Sequence, residues 1–315
     1  MAGGERIPVA VIGNGIIGHG VAQIFAAAGH PVVMIGRNAD SLQRALGNIR
    51  SSLEEFAENG LTDAAGVTAA LQRIRTSTSL QDAGGAGLVV EAVTEDLPLK
   101  LGIFEELDRI CPASTILGSS SGQPASALVP RVKHRARVIA THFWYPPQLI
   151  PLVEVCAGPE TDPEVTRRTV ALIRAAGKEP VVIDKEVPGF IGNRIQFAAL
   201  REAWSLWAAG VASAEAIDTV VKASIGRRLG ITGPIESADV GGLDTLYNFA
   251  RFLQPHLDRS ADPPEAVGRI VAEGQRGPST GRGVYDWTKR DGDRLLKARR
   301  AELFRWLKAD RDGQS

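Results

Sequence analysis

The chain opens with alternating apolar runs and glycine-rich turns. Residues 7–12 (IPVAVI) form a short apolar run that ends in glycines. Gly15 to Ala28 is rich in Ala and Ile and predicts a helix, and Pro31 to Ile35 is a second β-rich run. Strand, helix and strand in this order imply a parallel sheet with right-handed crossovers. Ser41 to Glu58 carries Leu42, Leu46, Ile49, Leu53 and Phe56 at helical spacing, and Ala64 to Leu71 predicts another helix. Strands are predicted at Leu88–Val93, Thr115–Leu117, Arg137–Thr141, Leu152–Val155 and Pro180–Ile183, several of them separated by helical stretches. The pattern is doubly wound α/β.

After Asp184 the texture changes. From Ile191 onward the patterns are helical, without a convincing strand. Ile195, Ala199, Ala203 and Leu206 mark one long helix, Ala214 to Ala223 another, and Leu295 to Leu307 is amphipathic with Leu303, Phe304 and Leu307 on one side. Pro188 and Gly189 punctuate the junction. The expected organisation is an α/β domain over residues 1–186 and an all-α domain over residues 187–315.

Composition narrows the function classes. With 315 residues, 44% hydrophobic and 23% charged, the chain has the balance of a globular protein with an ample core. The formal net charge is zero and no basic stripe appears, which argues against a nucleic-acid partner. An acidic substrate would be met by local charge. No apolar run reaches the length of a membrane span, and MAGGERIPVAVIG has no apolar signal core. The cysteines, Cys111 and Cys156, form no C-x-x-C pattern and predict neither a disulfide framework nor a zinc site. A cytoplasmic protein without membrane contact is expected.

The first candidate chemistry is Gly13-Asn14-Gly15-Ile16-Ile17-Gly18, a G-x-G-x-x-G between a predicted strand and a predicted helix. That context makes the motif informative. Gly13 permits the tight turn, Gly15 lets a pyrophosphate approach the helix N-terminus, and Gly18 lets the helix pack closely. The domain is therefore expected to be an N-terminal Rossmann-type, dinucleotide-binding sheet. An acidic residue at the end of the second strand would hold the ribose 2′-hydroxyl of NAD. Here the chain reads Gly36-Arg37-Asn38. An arginine pairs with a 2′-phosphate, so NADP(H) is favoured, with Arg37 and Asn38 as cofactor contacts. Asp40 can still reach the ribose, which keeps NAD(H) open.

Thr141-His142-Phe143-Trp144-Tyr145-Pro146-Pro147 followed by Pro151-Leu152-Val153-Glu154-Val155 resembles the signature of the L-3-hydroxyacyl-CoA dehydrogenase family, whose relatives include carnitine dehydrogenase, L-gulonate dehydrogenase and lambda-crystallin. Val90-Glu91-Ala92-Val93-Thr94-Glu95-Asp96 with Lys100 resembles the family's strand and cofactor-contacting turn. Pro188 to Arg194 resembles the entry to its helical domain, Gly233-Pro234 and Gly241 to Asp244 its second-domain motif, and Thr280 to Asp286 its closing motif. The resemblance runs in order over nearly the whole chain and implies a homodimer paired through the helical domain. It also implies roles for Glu95 and Lys100 at the cofactor.

Oxidising an alcohol requires a group to take the hydroxyl proton while hydride departs, and a histidine titrating near neutrality suits that task. A carboxylate would orient and stabilise the imidazolium. His142 and Glu154 flank Gln148 at equal sequence distance, so strands returning across this Pro-rich turn bring them together. In the family they are the catalytic dyad. The resemblance further implies that Ser121, with Ser120 as the alternative, hydrogen-bonds the reacting oxygen, and that Asn193 holds the substrate carbonyl.

Two departures bear on the substrate. Tyr145 stands where the family often has Asn, which reshapes the pocket. Ser52-Leu53-Glu54-Glu55-Phe56-Ala57-Glu58-Asn59 carries carboxylates where CoA-specific members carry lysines, and these repel a nucleotide phosphate. The expected activity is hydride transfer between NAD(P)(H) and the 3-position alcohol or ketone of a small hydroxy acid or related carbonyl compound. Alternatives are a true L-3-hydroxyacyl-CoA dehydrogenase and a non-catalytic, crystallin-like cofactor-binding protein.

Overall fold

A computed structural model describes residues 6–313. The opening residues 1–5, part of the segment read for a leader, lie outside that description. The elements run β1 (Val9–Ile12), α1 (Gly18–Ala27), β2 (Val32–Ile35), α2 (Ala39–Glu58), α3 (Ala64–Gln72), β3 (Ile74–Ser77), β4 (Leu88–Glu91), α4 (Leu97–Ile110), β5 (Ile116–Ser119), α5 (Ala125–Leu128), β6 (Val138–Phe143), β7 (Leu152–Ala157), α6 (Pro163–Ala175) and β8 (Glu179–Ile183). Helices α7 (Gly192–Ala208), α8 (Ala214–Ala223), α9 (Ile225–Arg228), α10 (Pro234–Val240), α11 (Leu243–Leu253), α12 (Glu265–Ala272) and α13 (Gly292–Arg311) follow.

The strands form one eight-stranded sheet in the order β3-β2-β1-β4-β5-β6-β7-β8. β1 pairs in parallel with both β2 and β4, so the strand order reverses beside the glycine loop, where doubly wound sheets bind ligands. β1 and β4 are buried along their whole length, which is why β1 reads as an unbroken apolar run and β4 as one closed by a buried Glu91. Side chains alternate across the sheet: Val9 and Val11 enter one core with Phe25, Leu42 and Ile49, while Ala10 and Ile12 enter the other with Phe104 and Leu117.

Sequence patterning passed over β3. Its residues Ile74-Arg75-Thr76-Ser77 lie at the sheet edge with only Ile74 buried, so they carry little apolar signal. Helix α1 begins at Gly18, not Gly15, because residues 15–17 make the turn. Helix α2 begins earlier than expected, with Asn38 as its cap: the Asn38 side chain accepts from the Ser41 N–H at 3.1 Å.

By contacts the chain divides into one unit of residues 1–191 with Leu303–Arg311, and a second containing Gly192–Glu302. This division falls later than residue 186, and it returns the last turns of α13 to the first unit. There Phe304 and Leu307 are buried with Phe56 and Leu149, and the Arg311 guanidinium donates to the Leu61 carbonyl at 2.7 Å. The second unit is helical and contains no strand longer than isolated bridges at Gly277–Arg282 and Arg282–Asp286. Its closing motif is tied to α8 by the Tyr285 hydroxyl on Asp218 (2.8 Å) and by Arg290 on Glu215 (3.0 Å). No residue of 192–302 is buried. Among the described residues no helix is long and apolar enough to cross a membrane, and no acid, His or Cys cluster could hold a metal ion. Cys111 and Cys156 are buried and unbonded to each other.

Candidate active site

The glycine loop is shaped by backbone approach. Gly13 has φ +107°, and a Cβ there would stand 2.6 Å from the Ala92 carbonyl oxygen. A Cβ at Gly18 would collide with the Gly13 carbonyl, whereas Gly15 faces open space. Asn14, Ile16 and Ile17 complete the turn, and the first turn of α1 carries no acidic residue. An open backbone at a helix N-terminus without a repelling carboxylate fits a dinucleotide pyrophosphate. His19 Nδ1 lies 2.7 Å from the Gly15 carbonyl oxygen. Burial lowers the imidazole below its usual value, and that carbonyl opposes the shift.

The end of β2 shows why an acidic residue is missing there. A Cβ at Gly36 would lie 2.7 Å from Asn14 Oδ1, and the Asn14 amide donates to Ser41 Oγ at 3.0 Å. The Asn14 side chain thus occupies the space a residue 36 side chain would need. Asn38 is committed to capping α2, while Arg37 and Asp40 are exposed beside it.

The next strand ends in a buried acid. Glu91 Oε1 accepts from Lys100 Nζ at 2.8 Å and from the Val93 N–H at 2.7 Å, and its Oε2 accepts from Ser119 Oγ at 2.6 Å. Lys100 is fully buried. A buried ammonium needs a carboxylate, and Glu91 supplies it, so Lys100 braces from beneath the turn that carries Glu95. Glu95 is exposed on the far side of this turn, 3.8 Å from Lys100 Nζ. It accepts from Ser121 Oγ at 2.6 Å and the Gly122 N–H at 3.2 Å. Ser121 is thus tied to the same turn. Its buried hydroxyl donates to a carboxylate, the stronger acceptor. Ser120 is less buried and accepts the Phe143 N–H at 3.2 Å. Its own proton is not used by that bond, so Ser120 is the better placed donor.

Strands β6 and β7 are antiparallel, with His142 directly opposite Glu154. His142 Nδ1 lies 2.8 Å from Glu154 Oε2. A carboxylate at Nδ1 accepts the ring N–H and leaves Nε2 as the basic nitrogen. Glu154 is 2% exposed along its side chain and His142 12%, so the pair is screened yet the imidazole still reaches the surface. Glu154 Oε2 also accepts from Trp144 Nε1 at 3.1 Å, and Oε1 from the Ile191 N–H at 2.9 Å. That backbone donor is aimed by Gly189 (φ +79°) and Phe190 (φ +52°). A left-handed phenylalanine is strained. Here its ring is buried, with its centroid 5.5 Å from that of His142. Tyr145 is 53% exposed one residue beyond Trp144. Two residues along β7, on the same face as Glu154, burial pushes the Cys156 thiol up to about 11, with Glu186 and Glu154 adding to the shift, which disfavours the thiolate.

Residues 8–187 match the 3-hydroxyacyl-CoA dehydrogenase NAD-binding domain, and residues 189–287 match the C-terminal domain of that family. The chain belongs to the 3-hydroxyacyl-CoA dehydrogenase family. It is an oxidoreductase that transfers hydride with an NAD-type cofactor. The 5-formyl-3-hydroxy-2-methylpyridine 4-carboxylate 5-dehydrogenase of Mesorhizobium japonicum is 33% identical, with 93% of this chain and 94% of that protein covered. A probable 3-hydroxybutyryl-CoA dehydrogenase of Bacillus subtilis is 34% identical, with 90% and 98% covered. Among solved structures, a 5-formyl-3-hydroxy-2-methylpyridine 4-carboxylic acid 5-dehydrogenase, an NAD+ dependent dismutase, superposes with TM-score 0.88 at 29% identity and covers 98% of this chain and 99% of its own.

Within this family frame Asn193 falls in the first turn of α7, in the second unit. Helix α13 lies beyond both matched domains. Sequence reasoning missed Glu91, Ser119, Trp144, Phe190 and the Ile191 N–H. Glu91 could have been found, since an acid closing an apolar strand needs a buried partner. The Ile191 donor could not, because backbone N–H groups have no sequence signature.

Proposed function

We propose that this dehydrogenase acts on a small free hydroxy acid or related carbonyl compound, with His142 and Glu154 as its acid–base pair. The 2.8 Å contact between His142 Nδ1 and Glu154 carries the reading. In the oxidative direction Nε2 of His142 takes the hydroxyl proton, and Glu154 holds the ring in the orientation and tautomer that leave Nε2 available. When bound, the nicotinamide serves as hydride acceptor or donor. Ser120 supports the reacting oxygen, Asn193 holds the substrate carbonyl, and Tyr145 shapes the pocket.

The preference for a free substrate rests on the exposed carboxylates Glu54 and Glu58 of α2, and on the Mesorhizobium relative, whose named substrate is a pyridine carboxylate. The second reading is a 3-hydroxyacyl-CoA dehydrogenase, which the Bacillus relative favours. The crystallin-like reading is disfavoured because a pair serving no chemistry has no need of such complete hydrogen bonding. NAD(H) is the cofactor the family supports. Arg37 adds a preference for NADP(H), because the space at Gly36 holds the Asn14 amide and not the carboxylate that would bind a ribose 2′-hydroxyl. The exposed apolar side chains of α10 and α11 support a homodimer, and buried unpaired thiols suit a reducing cytoplasm.

Hydroxy acids, ketones and acetoacetyl-CoA assayed against NAD(H) and NADP(H) test the substrate and cofactor together. Turnover of a free hydroxy acid or ketone exceeding that of acetoacetyl-CoA is expected, and the reverse order establishes the second reading. Arg37→Ala is expected to weaken NADP(H) more than NAD(H); equal weakening removes the role given to Arg37.

A further inference from the structure

The carboxylate beside the imidazole serves more than the imidazole. Glu154 Oε2 accepts from His142 Nδ1 at 2.8 Å and from Trp144 Nε1 at 3.1 Å, so two donors share one oxygen. The indole also meets the imidazole edge-on, with ring centroids 5.6 Å apart and an interplanar angle of 67°. Trp144 is two residues from His142 on the same strand extension, which places both side chains on the face towards Glu154. A second donor disperses charge on the carboxylate, and a carboxylate so relieved stabilises the neighbouring imidazolium less.

We propose that Trp144 is a positioning residue that sets the working pH of His142 through Glu154. Its indole N–H weakens the hold of Glu154 on the protonated ring. Without that second donor, Glu154 would hold the protonated ring more strongly. The ring body fixes the imidazole from its edge, a separate packing effect. The inference rests on His142 being the base.

The test uses the full-length enzyme with the best substrate of the panel. Trp144→Phe removes the N–H and keeps an aromatic body. Replacing Trp144 with benzothienylalanine, in which sulfur stands in for the N–H, removes the donor and keeps the shape. The acidic limb of kcat/KM is expected to move to higher pH by about half a unit in both variants. Cofactor dissociation constants should be unchanged. A wild-type limb in the benzothienylalanine enzyme overturns the proposal, whatever Trp144→Phe does, because packing alone then accounts for the indole. His142→Ala separates the two levels. If it keeps wild-type turnover, the dyad reading itself has failed. If it abolishes turnover while both Trp144 variants keep the wild-type limb, only the role of Trp144 falls.

Discussion

The two units of this chain handle apolar surface in opposite ways. In the first, both faces of the sheet are covered, and Phe25, Phe104, Leu107 and Leu117 are fully buried. In the second no residue of 192–302 is buried, and Ile231, Ile235, Val240 and Leu243 are 61–83% exposed. A fold cannot rest on side chains that stay in water. The first unit carries its own core, whereas the second leaves its apolar side chains exposed, the observation behind the proposed homodimer. The proposed site follows the same division: His142, Glu154 and the glycine loop all sit on the self-sufficient unit.

Substitutions can break or sharpen that contrast. Phe104→Ala, within the sheet's second core, is expected to cost about 3–5 kcal/mol in urea unfolding. A loss below about 1 kcal/mol would mean the first unit is less tightly packed than its burial indicates. Phe304→Ala tests whether the last turns of α13 belong to the first unit. It is expected to cost about 3 kcal/mol through its contact with Phe56, 5.2 Å between ring centroids. No loss would return α13 wholly to the second unit.

Burial also traps a charge. Lys178 is buried and donates to the Ile150 carbonyl at 3.0 Å, and burial, with Arg311 nearby, pushes its amine down to about 7 from 10.5. The unfolded chain then binds more protons between those values, so this group makes stability rise with pH across the window and levels off below about 7. Lys178→Met removes that slope and is expected to stabilise the protein by roughly 1–3 kcal/mol at neutral pH in thermal or urea unfolding. An unchanged pH slope would place the charge in a better solvated setting. The smallest effect on unfolding belongs to the second unit. Phe252→Ala, at 65% exposure, is expected to change subunit stability by less than about 1 kcal/mol while shifting sedimentation towards the monomer. A large unfolding loss without any shift would deny the contrast.

Much of this was legible in the sequence because burial on both faces writes itself as an unbroken apolar run, as in β1. The His142–Glu154 pair was legible from its symmetric placement about a proline-rich turn. β3 was not, since an edge strand needs few apolar residues. The partners of Lys100 and Ser121 were hidden as well. The family resemblance supplied their roles, whereas their long-range hydrogen-bond partners, Glu91 and Glu95, have no local signature. The Glu154 shell was hidden for the same reason: it draws on a strand extension at Trp144 and a left-handed turn at Phe190.

The central claim is that His142, held by Glu154, is the base of a nicotinamide-dependent oxidation. Its most direct test is steady-state turnover of His142→Ala beside cofactor affinity measured on the same protein. The account predicts a loss of about 10²–10⁴-fold in turnover with near wild-type cofactor binding. Unchanged turnover would contradict it.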